Sequence, residues 1–525
     1  MNVKIKNIKK HLTKTFRAYI NSSTFHCIKY IGILNLHFIE RIFWLTAIAL
    51  FFALCCTVSF FIWEKYNQIP TVVKIEDPHL PFTSVAFPAV TICPANRLKP
   101  SLAYAYIIRY LNKATTNKEV IMKHLVSALS LLQYPTYIHM EYHLKKVIGY
   151  LPLFDSLNIT DLMVKSLPAC DEIMKHCYWQ GKKENCCKIF SLQRTEEGFC
   201  YSFNSMLSEA NKFCPVYVPP IMLYKDENTK HHRDRRCRPR HTTSSGVFSG
   251  LTVTMKEDII KDRIGPNGSK YERGVVAQIH HPHELPEPGV GILLPVDNLN
   301  KVDMAIKITI TKSSNDIRGL KLQDRGCIFR NERYLNITKI YSQRSCIIEC
   351  RLRYILKRCH CLPYYFNNYN EGRRKLPICN SLRLKCIVSL NEDLRFYKPP
   401  NIHMELHDTE THSALDCTHC LPTCNEVNYE FVSERTKNFY VTSNNFDGCF
   451  DVYFKSADAV TYQREVSFNA MQLLVNLGGI GGLFLGGSLL SILEILFWFC
   501  KAIISQTFSA KNLINKKKKK AKVSV

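Results

Sequence analysis

The residues with the clearest chemical potential lie in an apolar stretch near the end of this 525-residue chain. Six of its 21 glycines fall there within ten positions: Gly478, Gly479, Gly481, Gly482, Gly486 and Gly487. Glycine lets helices approach closely and permits non-helical backbone, which at membrane depth survives only where it lines protein or water. At about 100° per residue, one stripe of a continuous helix would carry Asn476, Gly487, Ser491 and Glu494. The pattern predicts a pore lining, and simple helix packing through glycines is the alternative.

Two apolar stretches must position these residues. Residues 42–63 carry no charge, and Glu494 is the only acidic residue between positions 466 and 500. About 20 apolar residues span a bilayer, so both stretches are predicted to be transmembrane helices. A cleavable signal peptide is the rival for the first, but it begins after 41 residues, is too long and lacks a small-residue cleavage site. A carboxylate facing lipid is costly, so Glu494 should face water, a partner or the cytoplasmic end.

The charges flanking the two stretches indicate the topology. Residues 1–41 carry eight Lys and Arg against one Glu, and residues 501–525 carry eight Lys and no acid. The positive-inside rule therefore predicts cytoplasmic termini, an extracellular domain over residues 64–465 and a multi-pass protein of the plasma membrane. The lysine run at 516–520 is explained by anionic membrane lipid, so no nucleic-acid partner is expected.

The intervening region has the composition of a disulfide-rich exported domain. With 46% hydrophobic residues the chain is neither disordered nor collagen-like, and 19 of its 23 cysteines lie between Cys93 and Cys449. Residues 359–361 (Cys-His-Cys) and 417–420 (Cys-Thr-His-Cys) resemble zinc ligands, but an oxidising compartment favours disulfides, so no metal or other cofactor is expected. Three glycosylation sequons are present, at Asn158, Asn267 and Asn336.

Local patterns predict a mixed α+β domain. Runs rich in β-branched and apolar residues predict strands over 85–92, 250–255, 275–279 and 304–311. Helical spacing predicts helices over 102–111, 118–132 and 342–356, the last with Ser342 as N-cap. Residues 226–245 are polar and basic, which indicates a solvated loop or, as the alternative, a processing-protease site at Arg233, Arg235 and Arg236.

Several motifs in order resemble the degenerin/epithelial sodium channel superfamily. They are Phe-Pro-Ala-Val-Thr-Ile-Cys at 87–93, Gly-Phe-Cys-Tyr-Ser-Phe-Asn at 198–204, Gly-Gly-Ser at 486–488, and a block of ten cysteines. The block comprises Cys327, Cys346, Cys350, Cys359, Cys361, Cys379, Cys386, Cys417, Cys420 and Cys424, and within it Tyr341 and Ser342 lead into the segment from Cys346 to Cys350. The stretches 177–187 and 278–286 resemble the insect pickpocket branch.

This resemblance implies a trimeric sodium-preferring channel that amiloride blocks. Each subunit would have two transmembrane helices and an ectodomain of finger, thumb, knuckle, palm and β-ball, and Gly486, Gly487 and Ser488 would form the selectivity filter. The resemblance also implies five nested disulfides and a sixth elsewhere: Cys327–Cys424, Cys346–Cys420, Cys350–Cys417, Cys359–Cys386, Cys361–Cys379 and Cys93–Cys200. Cys177 is expected to join Cys186 or Cys187, and Cys214 to join Cys237; because 19 is odd, at least one thiol is left over.

Two gating positions depart from the family pattern. The family has a His-Gly pair in the cytoplasmic segment, and here His26 is followed by Cys27, which resists backbone conformations that glycine adopts. Val475 stands where the family usually has a small residue, so both departures lie in parts that control opening.

Other functions share some of these features. A non-conducting two-pass receptor or regulatory subunit would have the same topology, whereas an ATP-gated channel lacks this cysteine spacing. An ecto-enzyme is not expected because the nucleophile motif Gly-x-Ser-x-Gly and the metal motif His-Glu-x-x-His are missing from the sequence. His280, His281 and His283 are either a proton sensor or, as the alternative, a surface turn. The sequence leaves open the gating stimulus and the choice between homotrimer and heterotrimer.

Overall fold

The computed structural model describes residues 16–33, 37–68, 70–95, 97–111, 117–211, 214, 237–256, 262, 274–295, 300–366, 370–371, 374–398, 414–437 and 448–504. The chain divides into two compact units. The small unit joins residues 1–72 with 465–525, and the large unit comprises residues 73–464.

The helices are α1 (described over residues 16–22), α2 Ile28–Gly32, α3 Phe38–Gln68, α4 Pro100–Ile107, α5 Lys118–Ser130, α6 Tyr137–Val147, α7 Ile159–Lys165, α8 Cys170–Ile173, α9 Cys186–Ile189, α10 Leu322–Arg325, α11 Gln343–Cys359, α12 Leu384–Ser389, α13 Asn391–Arg395, α14 Ala470–Leu485 and α15 Leu489–Ile504. The strands are β1 Thr71–Pro81, β2 Ala89–Pro94, β3 Met174–Trp179, β4 Lys182–Glu184, β5 Phe190–Thr195, β6 Gly198–Phe203, β7 Leu251–Met255, β8 Gly274–His280, β9 Ile292–Pro295, β10 Asn300–Ser313, β11 Asn370–Glu371, β12 Arg374–Lys375, β13 Glu426–Lys437, β14 Cys449–Phe454 and β15 Asp458–Val466.

The large unit contains one mixed sheet and one antiparallel sheet. One sheet has the order β1-β15-β10-β14-β7-β3-β4, with β13 also pairing with β10, and the other has the order β5-β6-β2-β8-β9. Strand β10 pairs in parallel with β14 and β15 and antiparallel with β13. A hydrophobic core that includes Phe87, Phe203 and Phe450 is drawn from residues of both sheets.

The helices of the large unit enclose a second core. Residues of α5, α6, α11 and α12 contribute to it, among them Leu125, Met140 and Leu352. Helix α11 begins at the predicted N-cap, because the Ser342 hydroxyl accepts a hydrogen bond from the Ser345 amide over 3.2 Å. It ends where His360 adopts a left-handed φ of 53°.

Nine disulfides stabilise the large unit. Five join the segments 327–361 and 379–424, in the pairs Cys327–Cys424, Cys346–Cys420, Cys350–Cys417, Cys359–Cys386 and Cys361–Cys379. The other four are Cys93–Cys200, Cys170–Cys187, Cys177–Cys186 and Cys214–Cys237. Cys449 is a free thiol, and burial raises its pKa to about 12, so it stays protonated and unreactive.

The predicted elements of the large unit are present with small shifts at their ends. The segments 250–255, 275–279 and 304–311 lie in β7, β8 and β10, and the helical segments 102–111, 118–132 and 342–356 coincide with α4, α5 and α11. The predicted strand over 85–92 begins only at Ala89. Val85 to Pro88 are buried in the core, but they belong to the segment that leads into the strand.

The small unit contains the apolar helices. Helix α3 has 31 residues, includes all of the uncharged stretch 42–63, and is long and apolar enough to cross a membrane, with a mean hydropathy of 2.4 over its most apolar 18 residues. Helices α14 and α15 have that length and composition only together, and they are bent by 73°. A further bent pair, formed by residues 137–154 and α7, meets the same criterion, but many of its apolar side chains belong to the core of the large unit.

Candidate functional site

The candidate site is the break between α14 and α15 in the small unit. Helix α14 begins with a reciprocal cap, in which the Asn469 side chain accepts from the Gln472 amide over 2.7 Å and the Gln472 side chain accepts from the Asn469 amide over 3.1 Å. It ends at Leu485, and Gly486 adopts a left-handed φ of 68°. Helix α15 then begins behind Ser488, whose hydroxyl accepts from the Ser491 amide over 3.2 Å.

Two features of the break require glycine at position 486. Its positive φ is strained for residues with a side chain, and a Cβ there would lie 2.6 Å from the imidazole of His26. The amides of Gly486 and Gly487 donate to the carbonyls of Gly482 and Gly481 over 3.0 and 3.1 Å. Among the described residues, no hydrogen bond reaches the carbonyl oxygens of Gly486 and Gly487, so two acceptors are left at the break.

A segment preceding α2 packs into this break. The His26 amide donates to the Leu485 carbonyl over 3.0 Å, which satisfies one of the free acceptors at the end of α14. Thr24 donates to the Glu494 carboxylate twice, from its amide over 3.2 Å and from its hydroxyl over 2.8 Å. The Thr24 and Ser491 hydroxyl oxygens lie 2.9 Å apart. Residues 24–26 therefore bridge the end of α14 and the first turns of α15.

Cys27 holds a conformation that glycine adopts more readily. Its φ is 63° and its ψ is −9°, in the left-handed region, where a Cβ crowds the following carbonyl. The Cys27 carbonyl accepts from the Tyr30 amide over 3.1 Å, so this geometry starts α2. The departure noted in the sequence thus falls on a position whose backbone favours glycine.

The structure brings together seven of the residues singled out from the sequence: His26, Cys27, Gly486, Gly487, Ser488, Ser491 and Glu494. Asn476 and Val475 lie apart from them, in the middle of α14. The prediction that Asn476, Gly487, Ser491 and Glu494 share one stripe of a continuous helix is wrong. The left-handed Gly486 ends the first helix and turns the second by 73°, so the 100° period does not continue across it.

Sequence reasoning missed Thr24 and Phe25. A Cβ on Gly487 would lie 3.1 Å from the Phe25 ring, so this aromatic side chain covers the glycine. A contact between positions more than 460 residues apart leaves no local pattern. The only local hint was that both residues lie within two positions of His26, which the sequence had singled out.

The remaining glycines leave a bare surface on α14. A Cβ built at Gly478, Gly479 or Gly481 would meet nothing within 4 Å in the described chain. Packing within one chain therefore does not explain these three glycines.

The interpretation of the three histidines as a surface turn is correct for the turn, since the Glu284 amide donates to the His281 carbonyl over 3.0 Å, but wrong for its location. His280, the last residue of β8, and His281, which follows it, are each only 1% exposed. The His280 Nε2 atom lies 2.7 Å from the Thr91 hydroxyl on β2. Burial lowers the pKa of His280 and His283 to about 4 and that of His281 well below its usual value, so all three are neutral near pH 7.

One group of side chains in the described part of the chain has the proximity of a metal site. The donor atoms of Cys346, His419 and Cys420 lie within 4.8 Å of one another. The two sulfur atoms are bonded to each other, whereas zinc binds thiolates, so the oxidised group does not fit the ion. The cysteines of 359–361 and Cys417 are likewise in disulfides.

The predicted modification sites differ in their surroundings. Asn158 is exposed, and its side-chain oxygen caps α7 by accepting from the Asp161 amide over 3.1 Å. Asn336 is half-buried, and its Nδ2 atom, to which a glycan would be attached, donates to Glu349 over 3.3 Å. Asn267 and the basic positions Arg233, Arg235 and Arg236 lie outside the described residues.

The family model described as "Amiloride-sensitive sodium channel" matches residues 19–498. The chain belongs to this family. It is 24% identical over 502 residues to the sodium channel protein Nach of Drosophila ananassae, covering 95% of this chain and 89% of that protein. It is 22% identical to pickpocket protein 28 of Drosophila melanogaster, over 91% of this chain and 77% of that protein. Acid-sensing ion channel 1C of Danio rerio is also 22% identical, over 91% of this chain and 82% of that channel.

The resemblance to the degenerin/epithelial sodium channel superfamily and its pickpocket members is thereby confirmed. The chain is a membrane protein of this family, and its large unit is the disulfide-rich mixed α and β ectodomain. The family consists of ion channels rather than enzymes, and its members support the assignment of a cation channel subunit.

Proposed function

We propose that this chain is a pore-forming subunit of an amiloride-sensitive sodium channel of the plasma membrane. The observation that carries the proposal is the pair of carbonyl groups at Gly486 and Gly487, which accept no hydrogen bond from the described residues at a break in an apolar helix. Backbone acceptors at membrane depth must face water, an ion or protein. Carbonyl oxygens are the ligands that replace the hydration shell of a cation in a selectivity filter.

The filter would be completed by symmetry. Three copies of Gly486, Gly487 and Ser488 around one axis would form rings of oxygen atoms, and the bare glycine face of α14 would provide close approach between chains. Asn476 and Ser491 would line the path on either side of the break. Glu494 would lie deeper, where water hydrates its carboxylate and Thr24 binds it.

In the proposed topology, α3 makes the first crossing over 42–63, and α14 with α15 makes the second within 466–500. The basic segments 1–41 and 501–525 would lie in the cytoplasm beside anionic lipid, with 64–465 outside the cell. The large unit would supply the finger, thumb, knuckle, palm and β-ball of a homotrimer or heterotrimer. An extracellular stimulus would open the pore, or the channel would be constitutively leaky.

Expression in oocytes tests the proposal. We expect an inward current in sodium that amiloride blocks and that disappears when sodium is replaced by a large organic cation. The chain should be expressed alone and with related subunits, and surface labelling should confirm delivery in each case.

A non-conducting receptor or regulatory subunit is the competing function. Such a subunit would reach the cell surface without changing the sodium current, the amiloride block or the ion selectivity of any partner subunit. A change in the permeability ratios of a co-expressed channel on substitution of Gly487 in this chain would place its residues in the pore. Unchanged ratios in every combination would support the regulatory subunit.

A further inference from the structure

A cavity of about 260 Å³ lies between two helical segments of the large unit, far in sequence from the pore residues. Its apolar wall includes Leu144 of α6, Leu151, which follows α6 in the chain, and Val388 of α12. Each of these side chains is less than 10% exposed. Ile138 and Ile148 line it as well and are 42% and 46% exposed. Pockets for drug-sized ligands have volumes of about 300–1,000 Å³, so this one suits a smaller molecule.

The cavity has one buried polar group without a partner. Asn391 lines it and is 5% exposed, and both polar atoms of its side chain, Oδ1 and Nδ2, are buried without a hydrogen bond in the described protein. Buried polar side chains are nearly always hydrogen-bonded, and an unpaired carboxamide costs free energy. Oδ1 can accept and Nδ2 can donate, so the group requires a partner that does both.

The neighbouring polar groups do not meet this requirement: Lys385 and Glu392 also line the cavity, and neither forms a hydrogen bond with the Asn391 side chain. The Ser389 hydroxyl donates to the Cys386 carbonyl over 2.8 Å, and the Ser381 hydroxyl donates to the Leu151 carbonyl over 2.9 Å. The Asp393 carboxylate accepts from the Tyr354 hydroxyl over 2.8 Å. At the rim, Lys145 forms an ion pair with Glu141 over 2.7 Å.

We infer that this cavity binds a small apolar molecule that carries an unsubstituted amide, because only an unsubstituted amide has an N–H on the same side as its carbonyl oxygen. The amide would donate to Asn391 Oδ1 and accept from Asn391 Nδ2, the pairing that two carboxamides form side by side. The apolar part would cover Leu144, Leu151 and Val388. A charged group in place of the amide would satisfy only one of the two atoms, because a carboxylate does not donate and an ammonium does not accept.

Such a ligand would bridge two parts of the ectodomain. Helix α6 supplies one wall, and α12 with the start of α13 supplies the other. The Cys359–Cys386 disulfide joins α12 to α11. Occupation of the cavity would therefore stabilise the position of α6 against a covalently linked pair of helices.

Binding to the full-length protein in lipid nanodiscs tests the inference and does not depend on whether the chain conducts. The probe is phenylacetamide, with about ten non-hydrogen atoms, followed by saturation-transfer NMR and by thermal unfolding. Ligands of this size bind with dissociation constants of about 1 mM. N,N-dimethyl-phenylacetamide is the matched probe, since it accepts a hydrogen bond but does not donate one.

We expect Asn391→Leu, which keeps the volume and removes both polar atoms, to weaken phenylacetamide binding about tenfold. The same variant should raise the unfolding temperature of the unliganded protein, because an unpaired carboxamide has been removed. Ile148→Trp should block the mouth, while Ile108→Trp, which is similarly exposed but does not line the cavity, should bind as the wild type does.

Four results would overturn the inference. They are the absence of saturation transfer to phenylacetamide in the wild type, equal affinity in Asn391→Leu, equal binding of the dimethyl probe, and equal loss of binding in Ile148→Trp and Ile108→Trp, which would show that the site lies elsewhere.

Discussion

The Thr24 hydroxyl donates to the Glu494 carboxylate over 2.8 Å, although 470 residues separate the two positions. The bond ties the segment before α2 to the helix that follows the break. The same segment is bonded to the end of α14 through His26 and Leu485, so a movement of α15 relative to α14 would strain one of these two contacts. The segment that precedes the first apolar helix is therefore placed to control the geometry of the break.

The Thr24–Glu494 pair should show energetic coupling. We expect Thr24→Val and Glu494→Ala each to change open probability, with a coupling free energy of about 1 kcal/mol because the bond is exposed and involves a charged group. Single-channel recording of both single variants and the double variant gives this value. Thr46→Val is the control, because its hydroxyl donates to Phe43 within its own helix. A coupling below about 0.3 kcal/mol would show that the two residues act independently.

Cys27→Gly should stabilise the segment that packs against the break. The left-handed conformation of a non-glycine residue costs about 1–2 kcal/mol, so its removal should change the open–closed equilibrium by about 5- to 30-fold. Open probability in excised patches measures the change. Cys27→Ala keeps the backbone cost and removes the thiol, so it should behave as the wild type. An equal effect of both substitutions would attribute the change to the thiol instead.

Gly487→Cys should abolish the current or admit larger cations. The added Cβ would lie 3.1 Å from the Phe25 ring, and the displacement needed to relieve this contact would move the carbonyl groups at the break. Permeability ratios for sodium, potassium and a large organic cation provide the measurement. Glu494→Gln should change these ratios less, and Gly149→Cys, where a Cβ meets nothing within 4 Å, is the matched control. Unchanged ratios in Gly487→Cys channels at the surface would exclude the proposed filter.

Val475→Ala should reduce the basal sodium current. Val475 is 66% exposed on α14, and in a closed trimer three stiff valine side chains would crowd around the axis. Overpacking costs about 1–3 kcal/mol, which favours the open state by about 5- to 150-fold. Amiloride-sensitive basal current at matched surface expression measures the difference. Equal or larger current in the alanine variant would show that neighbouring side chains have repacked around the valine.

Acid should destabilise the ectodomain through its buried histidines. Their pKa values are lowered in the folded state, to about 4 for His280 and His283, so below about pH 6.5 the unfolded chain binds protons that the folded chain does not. Stability should therefore fall as pH decreases from 6.5 to 4. Thermal unfolding across this range should show a smaller decrease in His283→Gln, whereas His79→Gln, an exposed position, should match the wild type. The same pH dependence in both variants would remove the histidines as its cause.

Much of the ectodomain could be predicted because its signals are local or carried by the family pattern. The β-branched runs lie in β7, β8 and β10, and Ser342 caps α11 as its position beside a helical run indicates. The burial of His280 and His281 could not be predicted, since Pro282 and Glu284 are typical of a turn. His280 pairs with Ala89 of β2, a strand distant in sequence, so the local pattern does not indicate its burial.

Seven residues at the break were singled out from the sequence, but its geometry was not predicted, and Thr24 and Phe25 were missed. The cluster of glycines is compatible with a straight helix that packs closely and with a broken helix. The stripe predicted from the 100° period holds only for the straight helix. Gly486 is a left-handed residue that ends α14, and the segment 24–26 that packs against it lies more than 450 residues away, which local sequence does not encode. The partner of Glu494 was missed for the same reason.

The nested disulfides impose an order on biosynthesis. Cys327, Cys346 and Cys350 pair with cysteines that follow them by 97, 74 and 67 residues, whereas the Cys359–Cys386 and Cys361–Cys379 pairs span only 27 and 18. At a translation rate of about 5–20 residues per second, the first three thiols wait several seconds for partners while nearer cysteines emerge beside them. The short pairs can close first and withdraw four competing thiols. Mispairing during export is thus limited by the sequence in which the ribosome delivers the cysteines.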